Sequence, residues 1–225
     1  MMFDVSKWQQ IRTLLASLTP AREIRVIAVS KGQGVAEIRA AAEAGVRLFG
    51  ESYVQEALEK QAQVGRTDLE WHFIGRIQRN KTRLIAAHFH WVHGVTEEGQ
   101  ARRLSEIRAG EGQTPLSVCL QVNISGEASK GGVSPAQLPE LAEAVAQMPG
   151  VILRGLMAPP APLLGGDEAT RRHFAALRQQ LEWLRAAGHA LDTLSMGMSG
   201  DYPLALEEGA TLLRLGTILF GRREN

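Results

Sequence analysis

A lysine that directly follows an apolar, strand-length run is the first residue in this sequence that could do covalent chemistry. Lys31 follows such a run at 24–30. A lysine at the tip of a buried strand can lose part of its hydration, and desolvation favours the neutral amine that forms Schiff bases with aldehydes. In the alternative interpretation, the side chain only carries its ammonium group from a strand end into solvent. Position alone leaves both interpretations open.

Two segments near the end of the chain have the composition of an anion site. They are SMGMSGD at 195–201 and RLGT at 214–217. Small residues let backbone N–H groups approach a phosphate closely, and barrel proteins frequently bind phosphate with the loops after strands seven and eight. The alternative is that the glycines only permit tight turns. The two segments in this order predict a phosphate site.

Short apolar runs alternate with helical stretches along the chain, and this alternation must position those residues. Strands are predicted at 24–30, 47–50, 70–75, 90–95, 116–123, 151–158, 193–197 and 212–216. Helices are predicted at 35–44, 53–63, 78–87, 97–109, 135–147, 168–187 and 202–208, with a last turn through 220. Alternation is typical of a parallel sheet covered by helices, and eight units favour a closed (β/α)8 TIM barrel, an α/β fold, over an open sheet.

An additional N-terminal helix is predicted before the first strand. Four apolar residues recur there on one helical face: Trp8, Ile11, Leu14 and Leu15. This helix and the eight units use nearly all of the 225 residues, so we predict a single domain over 1–225. Functional residues of a barrel gather where its strands end, which would bring Lys31 and the two anion segments to one face.

The composition argues against several classes of protein. Lys and Arg number 25 against 24 Asp and Glu, and a net charge of +1 argues against coating nucleic acid or binding an anionic membrane. The single cysteine, Cys119, cannot form an intramolecular disulfide. No apolar run approaches the ~18 residues that span a bilayer, and the N-terminus lacks the order of a signal peptide. We therefore expect a cytoplasmic protein.

Histidines are the residues most suggestive of a metal site. His88, His90 and His93 are closely spaced, and three histidines can bind zinc. In a strand, however, His93 would point opposite to the other two, so we predict no metal. We expect His72, in the segment WHFIG, to be a packed or hydrogen-bonded interior residue.

The predicted ligand is a phosphorylated aldehyde. It would form a Schiff base with the lysine after strand one and bind its phosphate after strands seven and eight. The ends of these strands are neighbours once the barrel closes. Pyridoxal 5′-phosphate (PLP) meets both demands, and so does an aldolase-type sugar-phosphate intermediate.

Seven segments that occur in one order with barrel-like spacing make a family resemblance specific. They are AVSKGQ, LFGESYVQEAL, WHFIGRIQRNKTRL, WVHGV, QVNISGEASKGGV, RGLMAPPAP and SMGMSGDYPLALEEGATLLRLGTILFGRR. Over about 24–222 the chain resembles the pyridoxal phosphate homeostasis protein family, whose fold is similar to the amino-terminal barrel domain of alanine racemase. The resemblance implies that Lys31 holds PLP as a Schiff base and that the protein takes part in intracellular vitamin B6 homeostasis.

The resemblance also implies roles for matching positions. The cofactor-binding set is Lys31, Ser52, Ser195, Gly197, Met198, Ser199, Arg214, Gly216 and Thr217. Within it Ser195, Ser199, Gly216 and Thr217 would hold the phosphate, while Gly197 and Met198 shape the loop. Arg214 would face the pyridine nitrogen. Because a guanidinium cannot accept a proton, that nitrogen would stay unprotonated and the ring would be a weak electron sink.

Two departures from the family pattern concern this site. Ser52 stands where the family usually has asparagine, and we expect it to lose one contact to the cofactor. Gly32-Gln33-Gly34 replaces the frequent Thr-Lys-Pro after the lysine, which predicts a more mobile loop. Neither change removes the Schiff-base or phosphate groups.

The sequence is compatible with three functions: a PLP carrier, a PLP-dependent amino-acid racemase and, more distantly, a class I aldolase. Racemisation needs an acid or base on each face of the substrate. Lys31 serves one face, and in alanine racemase a tyrosine on a second domain of the partner subunit serves the other. Tyr53 and Tyr202 are the two tyrosines here, and no segment is left for that domain. We predict a monomeric, non-catalytic PLP carrier that supplies PLP-dependent apoenzymes.

Overall fold

Eight short parallel strands close a barrel in the order in which they follow one another along the chain. The computed structural model describes residues 3–18, 23–127, 131–159 and 166–221. The strands are β1 (Arg25–Val29), β2 (Leu48–Glu51), β3 (Glu70–Phe73), β4 (Trp91–Val95), β5 (Leu116–Gln121), β6 (Val151–Met157), β7 (Thr193–Ser195) and β8 (Leu212–Leu215). β8 pairs with β1 and closes the barrel, with Ile27 opposite Arg214. The predicted TIM barrel is confirmed.

Helices cover the outside of the barrel. They are α1 (Val5–Ser17), α2 (Val35–Glu43), α3 (Val54–Val64), α4 (Thr82–His88), α5 (Glu98–Gly110), α6 (Leu138–Ala146), α7 (Gly166–Ala186), α8 (Tyr202–Glu207) and α9 (Thr217–Phe220). The apolar side chains between helices and strands form one continuous core, which includes Trp8 and Ile11 of the predicted N-terminal helix. Within the described part of the chain, no helix is long and apolar enough to cross a membrane.

The barrel interior contains polar side chains as well as apolar ones. Trp91, Cys119 and Met157 form a small buried apolar cluster. His93 on β4 lies 2.9 Å from Ser195 on β7. Because β4 and β7 are not neighbours in the sheet, this contact crosses the interior. The barrel interior is therefore polar as well as apolar.

Two predicted helices and the predicted burial of one side chain differ from the structure. The helix expected at 135–147 begins at Leu138, because Ser134 starts a hydrogen-bonded turn through Gln137 before the helix forms. The helix expected at 78–87 is split into a 3-10 turn, Arg79–Lys81, followed by α4. Leu14, which was expected on the buried face of α1, is 38% exposed.

Candidate functional site

A cavity of about 380 Å³ opens where the carboxyl ends of β1, β7 and β8 meet. Seven of the nine predicted site residues line it: Lys31, Ser52, Met198, Ser199, Arg214, Gly216 and Thr217. Val29, Ile74 and Met157 supply an apolar wall. The strands therefore bring together an amine, a guanidinium and a loop of small residues, as the barrel hypothesis requires.

A second cavity, of about 500 Å³, lies at the opposite end of the barrel. Its wall includes Arg25, Thr193 and Leu212, each the first residue of a strand. Three of its arginines form ion pairs: Arg25 with Glu70, Arg154 with Asp192, and Arg178 with Glu182 and Glu208. Because it contains none of the predicted site residues, we place the functional site in the smaller cavity.

The backbone around Lys31 is held by a buried ion-pair network behind the cavity wall. Lys60 Nζ donates to the Ser30 carbonyl oxygen at 2.7 Å, to Glu51 Oε1 at 2.8 Å and to Glu56 Oε1 at 2.5 Å. The Ser30 hydroxyl also donates to Glu51 Oε1, at 2.6 Å. The residue before Lys31 is thus fixed through both its carbonyl and its side chain.

The same network anchors the residue after Lys31. Gly32 has a φ of 72°, which glycine adopts without strain. Its N–H donates to Glu56 Oε1 at 2.5 Å, and the N–H of Gln33 donates to the Ser30 carbonyl at 2.9 Å. The Gly-Gln-Gly segment, expected to be mobile, is therefore connected by hydrogen bonds to α3 and to the end of β1.

Sequence reasoning missed the network, although the chain carried a signal for part of it. Glu56 and Lys60 have the i, i+4 spacing of a helical ion pair. Glu51 ends β2, and its side chain is completely buried. Burial raises the pKa of Glu51, while the charge and hydrogen bond of Lys60 oppose that rise.

Two backbone N–H groups converge on one oxygen in the predicted phosphate region. The N–H groups of Gly216 and Ile218 both point at Ser199 Oγ, at 3.3 and 3.2 Å. The turn that carries Ser199 is closed by Asp201, whose carboxylate accepts from the N–H of Met198 at 2.5 Å. Converging amides form a concave donor site of the kind that binds anions.

Two predicted residues lie behind the cavity wall. Gly197 has a φ of 89°, and a Cβ there would lie 2.6 Å from Ala205 Cβ. It therefore allows the loop to pack closely against α8. Ser195 was expected to bind phosphate, but it is fully buried, and its hydroxyl contacts Arg214 and His93 inside the barrel.

Arg214 is buried at the base of the cavity and held by three hydrogen bonds. Nη1 donates to the Ser195 carbonyl oxygen at 2.6 Å and to Ser195 Oγ at 2.8 Å. Nη2 donates to the Ala158 carbonyl oxygen at 2.7 Å. Burial lowers the pKa of Arg214 to about 10. The guanidinium is therefore still cationic at neutral pH, with a fixed orientation.

The three histidines considered for a metal site are separated by the fold. His88 ends α4, so the strand geometry expected for it is wrong. His90 accepts a hydrogen bond from the N–H of Trp71 through Nδ1 at 2.9 Å. His93 lies inside the barrel and contacts His72, which is buried and hydrogen-bonded as predicted. Over the described residues, no group of three or more His, Cys, Asp or Glu side chains has the arrangement of a metal site.

Ser52 is positioned by a close approach of two strand ends. A Cβ on Gly75 would lie 2.2 Å from the Ser52 carbonyl oxygen. Only glycine therefore permits this spacing between the segments that follow β2 and β3. The loop at 125–133, whose sequence is equally compatible with a flap over the cofactor and with an ordinary exposed loop, includes residues 128–130, which lie outside the described residues.

The chain matches a known protein family over nearly its whole length. The family model described as alanine racemase, N-terminal domain, matches residues 6–224. The chain belongs to this family. Two relatives are each named pyridoxal phosphate homeostasis protein. The one from Pseudomonas aeruginosa is 55% identical over 203 residues, covering 89% of this chain and 85% of the relative. The one from Escherichia coli K12 is 45% identical over 208 residues, covering 90% and 87%.

A solved structure that is similar to this chain has the same fold. PipY of Synechococcus elongatus, described with PLP bound, is 40% identical and has a TM-score of 0.87. The alignment covers 96% of this chain and 99% of PipY. The family resemblance drawn from the sequence motifs is confirmed, together with the fold that it implies.

Proposed function

We propose that the chain binds PLP in the 380 Å³ cavity and holds it as a Schiff base on Lys31. The observation that carries the proposal is that one cavity is lined by the Lys31 amine, the Arg214 guanidinium and the Ser199–Gly216 anion site. These groups match the aldehyde, the pyridine nitrogen and the phosphate of PLP, and the volume falls within the ~300–1,000 Å³ of small-molecule sites. The names of the two bacterial relatives and the PLP-bound PipY support the assignment.

We assign the phosphate to Ser199, Gly216 and Thr217. When phosphate binds, the Ser199 hydroxyl would turn away from the Gly216 and Ile218 N–H groups that donate to it in this structure. These N–H groups and the Ser199 and Thr217 hydroxyls would then donate to the phosphate oxygens. Met198 and Gly197 shape this loop, and we assign Ser52, which also lines the cavity, to the cofactor ring. Ser195 remains a predicted cofactor-site residue. Because its hydroxyl accepts from Arg214, we propose that it affects the cofactor by orienting Arg214.

We propose further that the protein stores and supplies PLP with little or no turnover. PLP, when bound, provides an electron sink for carbanion chemistry, and that sink is strongest when its ring nitrogen is protonated. Arg214 donates hydrogen bonds and cannot accept a proton, so it favours the unprotonated ring. A cytoplasmic monomer that supplies PLP-dependent apoenzymes is the setting we propose for this role.

An amino-acid racemase is the second candidate, favoured by the family that the chain belongs to. The geometry favours the carrier, because Tyr53 is 65% exposed and Tyr202 is not among the residues that line the cavity. The two functions are separated by incubating the PLP-loaded protein with D- and L-alanine and following chirality. The carrier hypothesis predicts no rapid loss of optical activity, and fast racemisation would contradict it.

The Schiff-base assignment is tested by Lys31→Ala. The variant should lose the visible absorption band of the protein-bound cofactor, because Lys31 is the one lysine among the described residues that lines the cavity. Lys7→Ala is the matched control, since Lys7 lies on α1 and contacts Gln10. The control should keep the band. A band that persists in Lys31→Ala and can be reduced by borohydride would refute the assignment.

A further inference from the structure

A continuous series of polar contacts crosses the barrel interior from the candidate site to its opposite end. From Arg214 it passes to Ser195 Oγ at 2.8 Å, and from there to His93 Nδ1 at 2.9 Å. His93 Nε2 lies 2.9 Å from His72 Nδ1. His72 Nε2 in turn lies 2.9 Å from Glu70 Oε1, in a close contact that does not have the geometry of a hydrogen bond. None of these contacts depends on a ligand.

The charged ends of the series determine the direction of every proton in it. The ionised Glu70 carboxylate can only accept, so the His72 proton lies on Nε2, facing it. His72 Nδ1 then accepts the proton that His93 carries on Nε2. His93 Nδ1 in turn accepts from the Ser195 hydroxyl, whose oxygen accepts from Arg214. The chemistry of donors and acceptors allows one arrangement, with both rings in the Nε2–H form.

Both imidazoles are neutral in this arrangement because they are buried. Burial lowers the pKa of His72 to about 4, although Glu70 opposes that change, while Arg25 and His90 reinforce it. Burial likewise lowers the pKa of His93 well below its ordinary value, and the charges of His72, Arg214 and Arg25 act in the same direction. Glu70 is ionised, because Arg25 donates to it at 2.6 Å. Each ring is thus neutral and has one proton.

We propose that His72 and His93 are positioning residues for the cofactor site. They fix the Ser195 hydroxyl as an acceptor for Arg214, and they thereby hold the guanidinium toward the ring nitrogen of PLP. Without His93 the Ser195 proton has no acceptor on that side, and the hydroxyl can rotate away from Arg214. This inference rests on the proposed function, since it assigns the role of these residues to the bound cofactor.

The test compares two substitutions of adjacent residues on β4. His93→Leu removes both ring nitrogens, while Val92→Ala removes only apolar volume from a fully buried position. We expect the dissociation constant for PLP to rise about 10-fold in His93→Leu, as for loss of a hydrogen bond to a charged group. The visible band should shift as well. Val92→Ala should lower the thermal midpoint but leave both cofactor readouts unchanged.

Two further variants distinguish positioning from general destabilisation. His93→Gln can accept from Ser195 through its amide oxygen and donate to His72 through its amide nitrogen, so it should recover part of the affinity and the band. Ser195→Ala should lose affinity like His93→Leu, and the double variant should lose little more, because both break one series of contacts. Wild-type affinity and band in His93→Leu, or equal changes in Val92→Ala, would overturn the proposal.

A measurement on the wild-type protein without PLP keeps the proposal testable if the variants fail to fold. Imidazole ¹⁵N NMR should show His72 and His93 each as a single neutral form protonated on Nε2. Protonation of His93 on Nδ1, or averaging between the two forms, would overturn the proposal. If the wild type failed to bind PLP, the proposed function would fall while the NMR result still stood. Normal binding in His93→Leu would refute only the positioning role.

Discussion

Replacing Lys60 should destabilise the barrel by leaving a buried carboxylate without its cation. Lys60→Met keeps a long, unbranched side chain but removes the contacts to the Ser30 carbonyl, Glu51 and Glu56. Glu51 is completely buried, so water cannot replace the lost cation. Removing one partner of a buried pair typically costs about 3–5 kcal/mol. That is a large part of the ~5–15 kcal/mol that holds a domain folded.

The same substitution has a pH signature whose sign follows from Glu51. Burial raises the pKa of Glu51 from its ordinary value of 4.5, and Lys60 limits the rise. Without Lys60 the pKa rises further. The folded state then binds the proton more tightly than the unfolded state, so the free energy of unfolding falls as pH increases from 4.5 through the folded pKa. The deficit of Lys60→Met should therefore be larger in mildly alkaline than in mildly acidic buffer.

Urea unfolding of the protein without PLP, followed by circular dichroism, measures both effects. Glu51→Gln in the Lys60→Met background should recover most of the loss, because it removes the buried charge. Lys7→Met, on α1, should change the midpoint little. A loss of unfolding free energy below about 1 kcal/mol in Lys60→Met, or no recovery in the double variant, would refute the claim that Lys60 compensates the buried charge of Glu51.

Three further predictions address other parts of the site. Gly75→Ala should cost about 1–3 kcal/mol in urea unfolding because its Cβ would meet the Ser52 carbonyl at 2.2 Å; Gly99→Ala, in open space on α5, should not destabilise. Ser199→Ala should raise the PLP dissociation constant about fivefold by spectroscopic titration, and an unchanged value would remove Ser199 from the phosphate site. Burial tends to raise the pKa of Glu70, but its contacts with His72 and Arg25 lower it to about 2, so its stabilising effect should be complete above 4.5 and lost as pH falls toward 2. In Glu70→Gln the unfolding midpoint should therefore change less with pH over that range than it does in the wild type. The same pH dependence in the variant and the wild type would contradict this assignment.

The periodicity of the sequence predicts the barrel because each strand is short, apolar and followed by a helix with its own end signals. Lys31 and the segments after β7 and β8 could be placed on one face, since parallel strands all end at the same side of a barrel. Boundaries were less predictable where local hydrogen bonds compete with a helix. The Ser134 turn delays α6, and the 3-10 turn at Arg79–Lys81 shortens α4.

The polar interior could not be read from the sequence because its contacts join distant strands. Nothing local indicates that His93 meets Ser195 across the barrel, 102 residues further along the chain. Ser195 itself was assigned to the phosphate from its motif, whereas its side chain points into the interior toward Arg214. The Glu51–Lys60 pair was missed for the same reason, since only the fold shows that both side chains are buried. Motifs identify residue types, and the barrel determines which way they face.

Borohydride reduction of the PLP-loaded protein, followed by peptide mass spectrometry, tests the central claim most directly. Reduction makes the bond between cofactor and lysine permanent, so the modified residue can be located. The proposed function predicts one phosphopyridoxyl group per chain, carried by Lys31. A label confined to Lys60 or another lysine, or an unlabelled chain after loading with PLP, would contradict it.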